Sequence, residues 1–384
     1  MTRYDFDKMI SRHNTNSVKW DTRPDLLPMW VADMDFETAP AVKAAVQRRA
    51  EHGIFGYVHV PDAYYEAIIN WFSRRHHWQM QREWILYTTG VVPAISAIIK
   101  AMTEPGDGVL IQTPVYNCFF SSIKNNGCNV IENELVYHDN TYTIDFEDLE
   151  KKASDPATKV MILCNPHNPA GRVWSPEELK RIGDICIRHH VFVIADGIHC
   201  ELVMPGHEYT PFASISKEFE QNSATCTSPS KAFNIAGLQI ANITIPDEMI
   251  GRRVNHAINS IEAGNVNAFG IEALMAAYNE SEDWLTQLNL YIDGNYRYLC
   301  DFFATNLPQF PVTKLEGTYL VWIDISALNK KSKSVMKELK SRENIWINEG
   351  IMYGASGDNF VRVNIACPRQ TLNEGLVRLK RAWG

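Results

Sequence analysis

Lys231 directly follows Ser228-Pro229-Ser230, after the short strand-like run Ala224-Thr225-Cys226. Taken alone, such a lysine is either a solvated surface cation or an amine that forms a Schiff base with an aldehyde cofactor. In the second case, serine hydroxyls and backbone amides would hold a phosphate. Two more polar loops close strand-like runs. Asp196-Gly197-Ile198-His199 follows Val191 to Ala195, and Asn165-Pro166-His167-Asn168-Pro169-Ala170-Gly171 follows Val160 to Cys164. An isolated Asp at a strand end serves equally as a turn or N-cap residue, and a lone histidine can be satisfied in a core. Gly90-Val91-Val92-Pro93 ends a strand and opens a helix, so the Val91 and Val92 amides could receive a phosphate at a helix N-terminus. Gly106-x-Gly108 precedes a strand and is therefore a turn, not a dinucleotide loop.

The elements that must position these loops alternate. Val109–Gln112, Val160–Cys164, Val191–Ala195 and Leu238–Thr244 read as buried strands; Pro93–Met102, Tyr116–Asn125 and Pro176–Arg188 read as helices. The last helix carries its own start signal, with Ser175 as N-cap, Pro176 in the first turn and Glu178 three residues after the cap. Near-continuous apolar strands alternating with helices predict an α/β fold whose mostly parallel sheet is covered on both faces. Ligands of such sheets lie beyond the carboxyl ends of the strands. The last hundred residues differ. A helical pattern over Trp284–Asn306, strand-like Thr318–Ile323 and Phe360–Asn364, and a closing helix over Thr371–Trp383 suggest a smaller α+β domain. We therefore expect a large domain over 46–283 and a small domain built from 1–45 and 284–384.

The chain has 384 residues, 45% apolar and 21% charged, with a formal net charge of −8. That composition supports a real core and lacks the basic footprint of a nucleic-acid binder. The start, Met1-Thr2-Arg3-Tyr4-Asp5-Phe6-Asp7, lacks the apolar core of a secretory signal, and no apolar run reaches the length of a membrane span. The eight cysteines, at 118, 128, 164, 186, 200, 226, 300 and 367, form no Cys-x-x-Cys pair. They read as reduced thiols, most of them buried, in a cytoplasmic protein without a metal module.

The ordered set of Asn-Pro-x-Asn-Pro-x-Gly, strand-Asp-x-x-His and Ser-x-Ser-Lys resembles the aspartate-aminotransferase-like superfamily of pyridoxal-phosphate enzymes, fold type I, over nearly the whole chain. Within that superfamily, Trp30-Val-Ala-Asp-Met-Asp-Phe36, Phe55-Gly56-Tyr57, Ser230-Lys-Ala-Phe-Asn-Ile235 and Phe360-Val-Arg-Val-Asn364 are similar to the MalY/PatB-type C–S lyases, or cystathionine β-lyases. The resemblance implies a fold type I large domain with a seven-stranded-type sheet, pyridoxal 5′-phosphate as cofactor, and α,β-elimination from an amino-acid thioether. It implies that Lys231 carries the cofactor aldehyde and moves the substrate Cα proton. Asp196 would bond the pyridine nitrogen and favour its protonated form. Asn168 would reach the cofactor 3-oxygen, with Asn165 shaping the turn. His199 stands where aminotransferases often carry tyrosine, and Tyr116 would stack on the ring. Val91, Val92, Ser228 and Ser230 would hold the phosphate. Tyr57 would reach that phosphate from the partner subunit of a homodimer, and Arg362 would grip the substrate carboxylate.

Two departures stand out. Gln239 lies where many fold type I enzymes have a phosphate-anchoring arginine, an absence that the lyase branch shares. Gly197 replaces a usual Glu, which removes a side-chain anchor and is expected to free the backbone beside Asp196. The alternative activity is transamination, which uses the same cofactor residues. A regulatory, partner-binding role is more distant.

Overall fold

The computed structural model describes residues 3–384. Seven strands form the main sheet: β1 (Ile85–Thr88), β2 (Gly108–Ile111), β3 (Asn129–Glu132), β4 (Thr158–Cys164), β5 (Phe192–Asp196), β6 (Ser223–Thr227) and β7 (Ala241–Thr244). Their order is β1-β7-β6-β5-β4-β2-β3. All neighbours are parallel except those of β7, which runs against both β1 and β6. Successive side chains of the central strands feed two different cores. Val160 and Ile162 join Val109, Ile111 and Ile194 on one face, while Met161 and Leu163 join Leu110 and Val193 on the other. This explains the unbroken apolar strand sequences, because both faces are buried.

Helix α1 (Asp62–His76) precedes the sheet, and α2 (Val91–Met102) and α3 (Asn117–Asn125) follow β1 and β2. Helix α4 (Pro176–Arg188) starts with the capping box expected at Ser175 and Glu178, both reciprocal bonds being present. The C-terminal part comprises α5 (Glu282–Asn306), the antiparallel strands β8 (Leu320–Asp324), β9 (Asn348–Glu349) and β10 (Phe360–Asn364), and α6 (Arg369–Trp383). Leu27–Pro28 pairs in parallel with Ile345–Trp346, so the N-terminal segment is stitched to this C-terminal part.

Two expected elements are shorter than their apolar patterns. Residues 236–238 form a 3-10 turn, and Gln239 takes a left-handed conformation (φ 50°), so β7 begins only at Ala241. Thr318 is also left-handed (φ 72°), and β8 begins two residues later. In both places a loop contact overrides strand propensity: the Leu238 carbonyl accepts from Asn267 (2.8 Å), and the Thr318 N–H donates to the Leu202 carbonyl (2.7 Å). Among the described residues, no helix is long and apolar enough to cross a membrane.

Candidate active site

A cavity of about 240 Å³ opens at the carboxyl ends of the parallel strands. Its wall is assembled from sequence-distant loops and includes Val91, Val92, Tyr116, Asn168, Asp196, His199, Ser230 and Lys231. Each segment arrives for a local reason. Gly90 at the N-cap of α2 adds no capping side chain, so the first-turn N–H groups of Val91 and Val92 face the cavity without an intrahelical partner. Tyr116, the expected first residue of the helix, occupies the N-cap position of α3, which begins one residue later at Asn117. Asn165 accepts from the Trp174 N–H (3.1 Å), which folds the following loop and delivers Asn168 to the wall.

Asp196 ends β5 and is 3% exposed; it accepts from the Ile198 N–H at 3.0 Å. Burial pushes its carboxyl up to about 7, against the opposing pull of that bond and of Lys231. Lys231 is half-buried, and desolvation brings its amine down to about 8. Its Nζ donates to the Ala32 carbonyl at 2.6 Å. The His199 ring is buried, its Nδ1 has no partner, and burial together with Lys231 and Arg362 keeps it neutral.

Arg362 lies on β10, opposite Trp322, and is 3% exposed. Its Nη1 donates to Asn168 Oδ1 and its Nη2 to the Trp30 carbonyl, both at 2.9 Å, while its Nε is buried without a partner. The guanidinium is thus fixed beside Asn168 with its Nε–H still unmatched.

Three expected residues lie off the cavity wall: Ser228, Tyr57 and Arg362, the last reaching it only through Asn168. The Ser228 hydroxyl donates to the Ile240 carbonyl and accepts from the Ser230 N–H, so its proton serves the loop. Tyr57 is 100% exposed, in a segment with exposed Ile54 and Phe55. The expectation about Gly197 needs correction. Its backbone is tied, N–H to the Cys226 carbonyl and carbonyl to the Cys200 N–H. A Cβ there would lie 3.0 Å from the Tyr209 hydroxyl, so the vacated space is filled and not free.

Trp30–Phe36 stood out in the sequence only by resemblance, and its role, closing the site with backbone carbonyls, went unread. Residues 30–36 offer their carbonyls to side chains from three directions. Asn364 reaches those of Val31 and Asp33, Asn234 those of Met34 and Phe36, and Tyr319 and Lys231 that of Ala32. The segment is held from outside by Arg12, bonded to Asp33 and Asp35, and by buried Lys19, 2.8 Å from Asp35.

A primary amine, a buried carboxylate bonded, among the described residues, only to the Ile198 N–H, an unpaired imidazole nitrogen and two free N–H groups on a helix dipole surround one space. This donor set fits pyridoxal phosphate, and with the seven-stranded sheet it defines a fold type I enzyme of that cofactor. Comparison with known proteins places the chain more closely. Residues 24–379 match the family described as aminotransferase class I and II. The chain is 42% identical to cystathionine beta-lyase PatB of Bacillus subtilis, over 98% of this chain and 99% of PatB. It superposes on cystalysin from Treponema denticola, a structure containing pyridoxal 5′-phosphate, with TM-score 0.97 and 38% identity over 99% of each chain. It also superposes on the PLP-bound C-S lyase from Staphylococcus hominis, with TM-score 0.95 and 34% identity over 100% of this chain and 98% of that one. The protein belongs to the class I and II aminotransferase family and, within it, to the PatB/MalY-type C–S lyases that use pyridoxal phosphate.

Proposed function

We propose that the protein cleaves the Cβ–S bond of cystathionine or a related cysteine S-conjugate, releasing a thiol, pyruvate and ammonia. The observation that carries this reading is the placement of the Lys231 amine, Asp196 and Asn168 around one cavity, with Arg362 bonded to Asn168 behind its wall. Similarity to PatB and the C–S lyase structures favours elimination over transamination.

In this reading Lys231 would hold the cofactor, Asp196 would pair with its ring nitrogen, Asn168 and His199 would serve its 3-oxygen, and Tyr116 would cover its ring. Val91, Val92 and Ser230 receive its phosphate, with Ser228 bracing Ser230. When bound, the cofactor supplies an electron sink for the pair left at the substrate Cα. Arg362 holds the substrate carboxylate and turns the Cα–H toward Lys231. When the substrate's own amine takes its place, the Lys231 amine, brought down to about 8, would be free base in useful amount near neutral pH and could take that proton. The Cβ–S bond then breaks, sulfur leaves as thiolate and takes up a proton, and one water hydrolyses the imine tautomer of the released enamine to pyruvate and ammonia. Tyr57, with Ile54 and Phe55, packs against a second copy of the chain and reaches that copy's phosphate site.

Borohydride reduction of the holoprotein followed by peptide mapping is expected to place the label on Lys231, and Lys231→Ala to abolish turnover. With cystathionine, pyruvate and thiol are expected together without a keto-acid co-substrate. A label on another lysine sinks the site; a requirement for keto acid with a new amino acid as product replaces the lyase reading with transamination.

A further inference from the structure

We propose that Tyr319 is a positioning residue for the Lys231 amine, acting through the Ala32 carbonyl that both side chains share. The Lys231 Nζ lies 2.6 Å and the Tyr319 hydroxyl 2.9 Å from that one oxygen. A carbonyl has two lone pairs, and here both are occupied. Tyr319 is fully buried, with its ring edge-on to His199 at 6.1 Å between centroids.

The turn before it is built to aim this side chain. Thr318, a β-branched residue, is held at φ 72°, a conformation that persists only where the surroundings enforce it. Its N–H is bonded to Leu202, in the turn that follows Asp196. Gly317 has no room for a side chain: a Cβ would lie 2.8 Å from Pro166 Cβ and 2.9 Å from Val173 Cγ2. The Tyr319 carbonyl in turn accepts from the Ile365 N–H at 3.0 Å. The hydroxyl is therefore fixed by the Asn165–Gly171 loop, the turn after Asp196 and the end of β10. Segment 30–36 has its own anchors at Asn364, Asn234 and Arg12. Removing the hydroxyl thus takes one bond from Ala32 and leaves the segment in place.

The consequence has a sign. A carbonyl relieved of one donor accepts more strongly from the other, and bonding to the charged form of an amine favours that form. Without the tyrosine hydroxyl, Lys231 holds its proton to higher pH. With it, the amine is freer to lose that proton, and its remaining lone pair is oriented away from Ala32.

The inference rests on Lys231 being the cofactor lysine, which borohydride mapping tests separately. Here the readout is the pH dependence of competitive acetylation at Lys231 in cofactor-free protein, followed by mass spectrometry. In Tyr319→Phe the midpoint is expected to rise by about half a unit to one unit, the size of one hydrogen bond expressed as pKa. The acid limb of kcat in the holoenzyme should move the same way, with KM changed by less than about twofold. Fluorotyrosine at 319 keeps the shape, strengthens the donor and should lower the midpoint; it also serves should the phenylalanine variant not fold. Unmoved midpoints, a downward shift in Tyr319→Phe, or a change in KM alone overturn the proposal.

Discussion

Asp196 is bonded to the Ile198 N–H and buried from water, and its carboxyl titrates near 7. A carboxyl raised in this way binds protons in the folded chain that the unfolded chain has already lost. Stability of the cofactor-free protein therefore falls as pH rises from the ordinary carboxylate range through about 7. Asn at this position can keep the bond from Ile198 and carries no charge. Cofactor-free Asp196→Asn is expected to melt several degrees above the wild type at pH 8 and with little difference at pH 4. Its gain in Tm on adding pyridoxal phosphate should shrink, and its turnover should fall by orders of magnitude. A variant melting below wild type at pH 8 contradicts the assigned desolvation cost. Residues of this kind were legible in the sequence because their types are informative: a lysine after Ser-x-Ser, an Asp and a His closing an apolar run. Ala32 was not, since it acts through a backbone carbonyl that any residue could supply. Tyr319 was hidden for a related reason: its hydroxyl does its work at that carbonyl, inside an otherwise apolar strand pattern.

The turn that carries Asp196 and His199 is pinned to α1 by Glu201. This carboxylate accepts from the Trp71 indole and pairs with His76, both at 2.7 Å, and pairs with Arg75 at 2.8 Å. Cys200 Sγ lies beside it, and the three ligand types His76, Cys200 and Glu201 come within 4.8 Å of one another. Both carboxylate oxygens are already spent on these partners, which gives the cluster a structural reading. Pairing with His76 and Arg75 outweighs burial and holds the Glu201 carboxyl down at about 2, against an ordinary 4.5. A depressed carboxyl contributes stability that is present above pH 4.5 and lost as pH falls toward 2. Glu201→Gln, which removes the buried carboxylate between Trp71, His76 and Arg75 and leaves Arg75 paired only with Glu282, is expected to cost about 2–3 kcal/mol at pH 7. Its denaturant stability should also vary less between pH 4.5 and 2 than that of the wild type; an unchanged acid profile contradicts this role. At this scale the sequence was most informative where local signals were complete. Helix α4 matches its expected span Pro176–Arg188 and its capping box at Ser175 and Glu178. The apolar run from Leu238 misled because its first residues are claimed by a loop contact that has no local signature.

The molecule draws its site from most of its length, and the four resembling motifs explain one another only in three dimensions. Asn234 and Asn364, from two of them, grip the carbonyls of a third, Trp30–Phe36, while the fourth, Phe55–Tyr57, stands exposed. That exposure supports a shared-site dimer, which has a direct test. Mixing an inactive Tyr57 variant with an inactive Lys231 variant under subunit exchange should restore part of the activity, because one site of each mixed dimer keeps both residues. Full activity from a sedimenting monomer would contradict it. The arrangement also bears on synthesis. The arginine that steadies Asn168 and the Trp30 carbonyl sits on the last strand, and the N-terminal segment pairs with Ile345–Trp346. A chain still on the ribosome can present the lysine, the aspartate and the helix N-terminus long before it can close segment 30–36 over them. Chains that end before Ile345 lack both Arg362 and the pairing partner for Leu27–Pro28, so Lys231 gains its full setting only once β10 has been made.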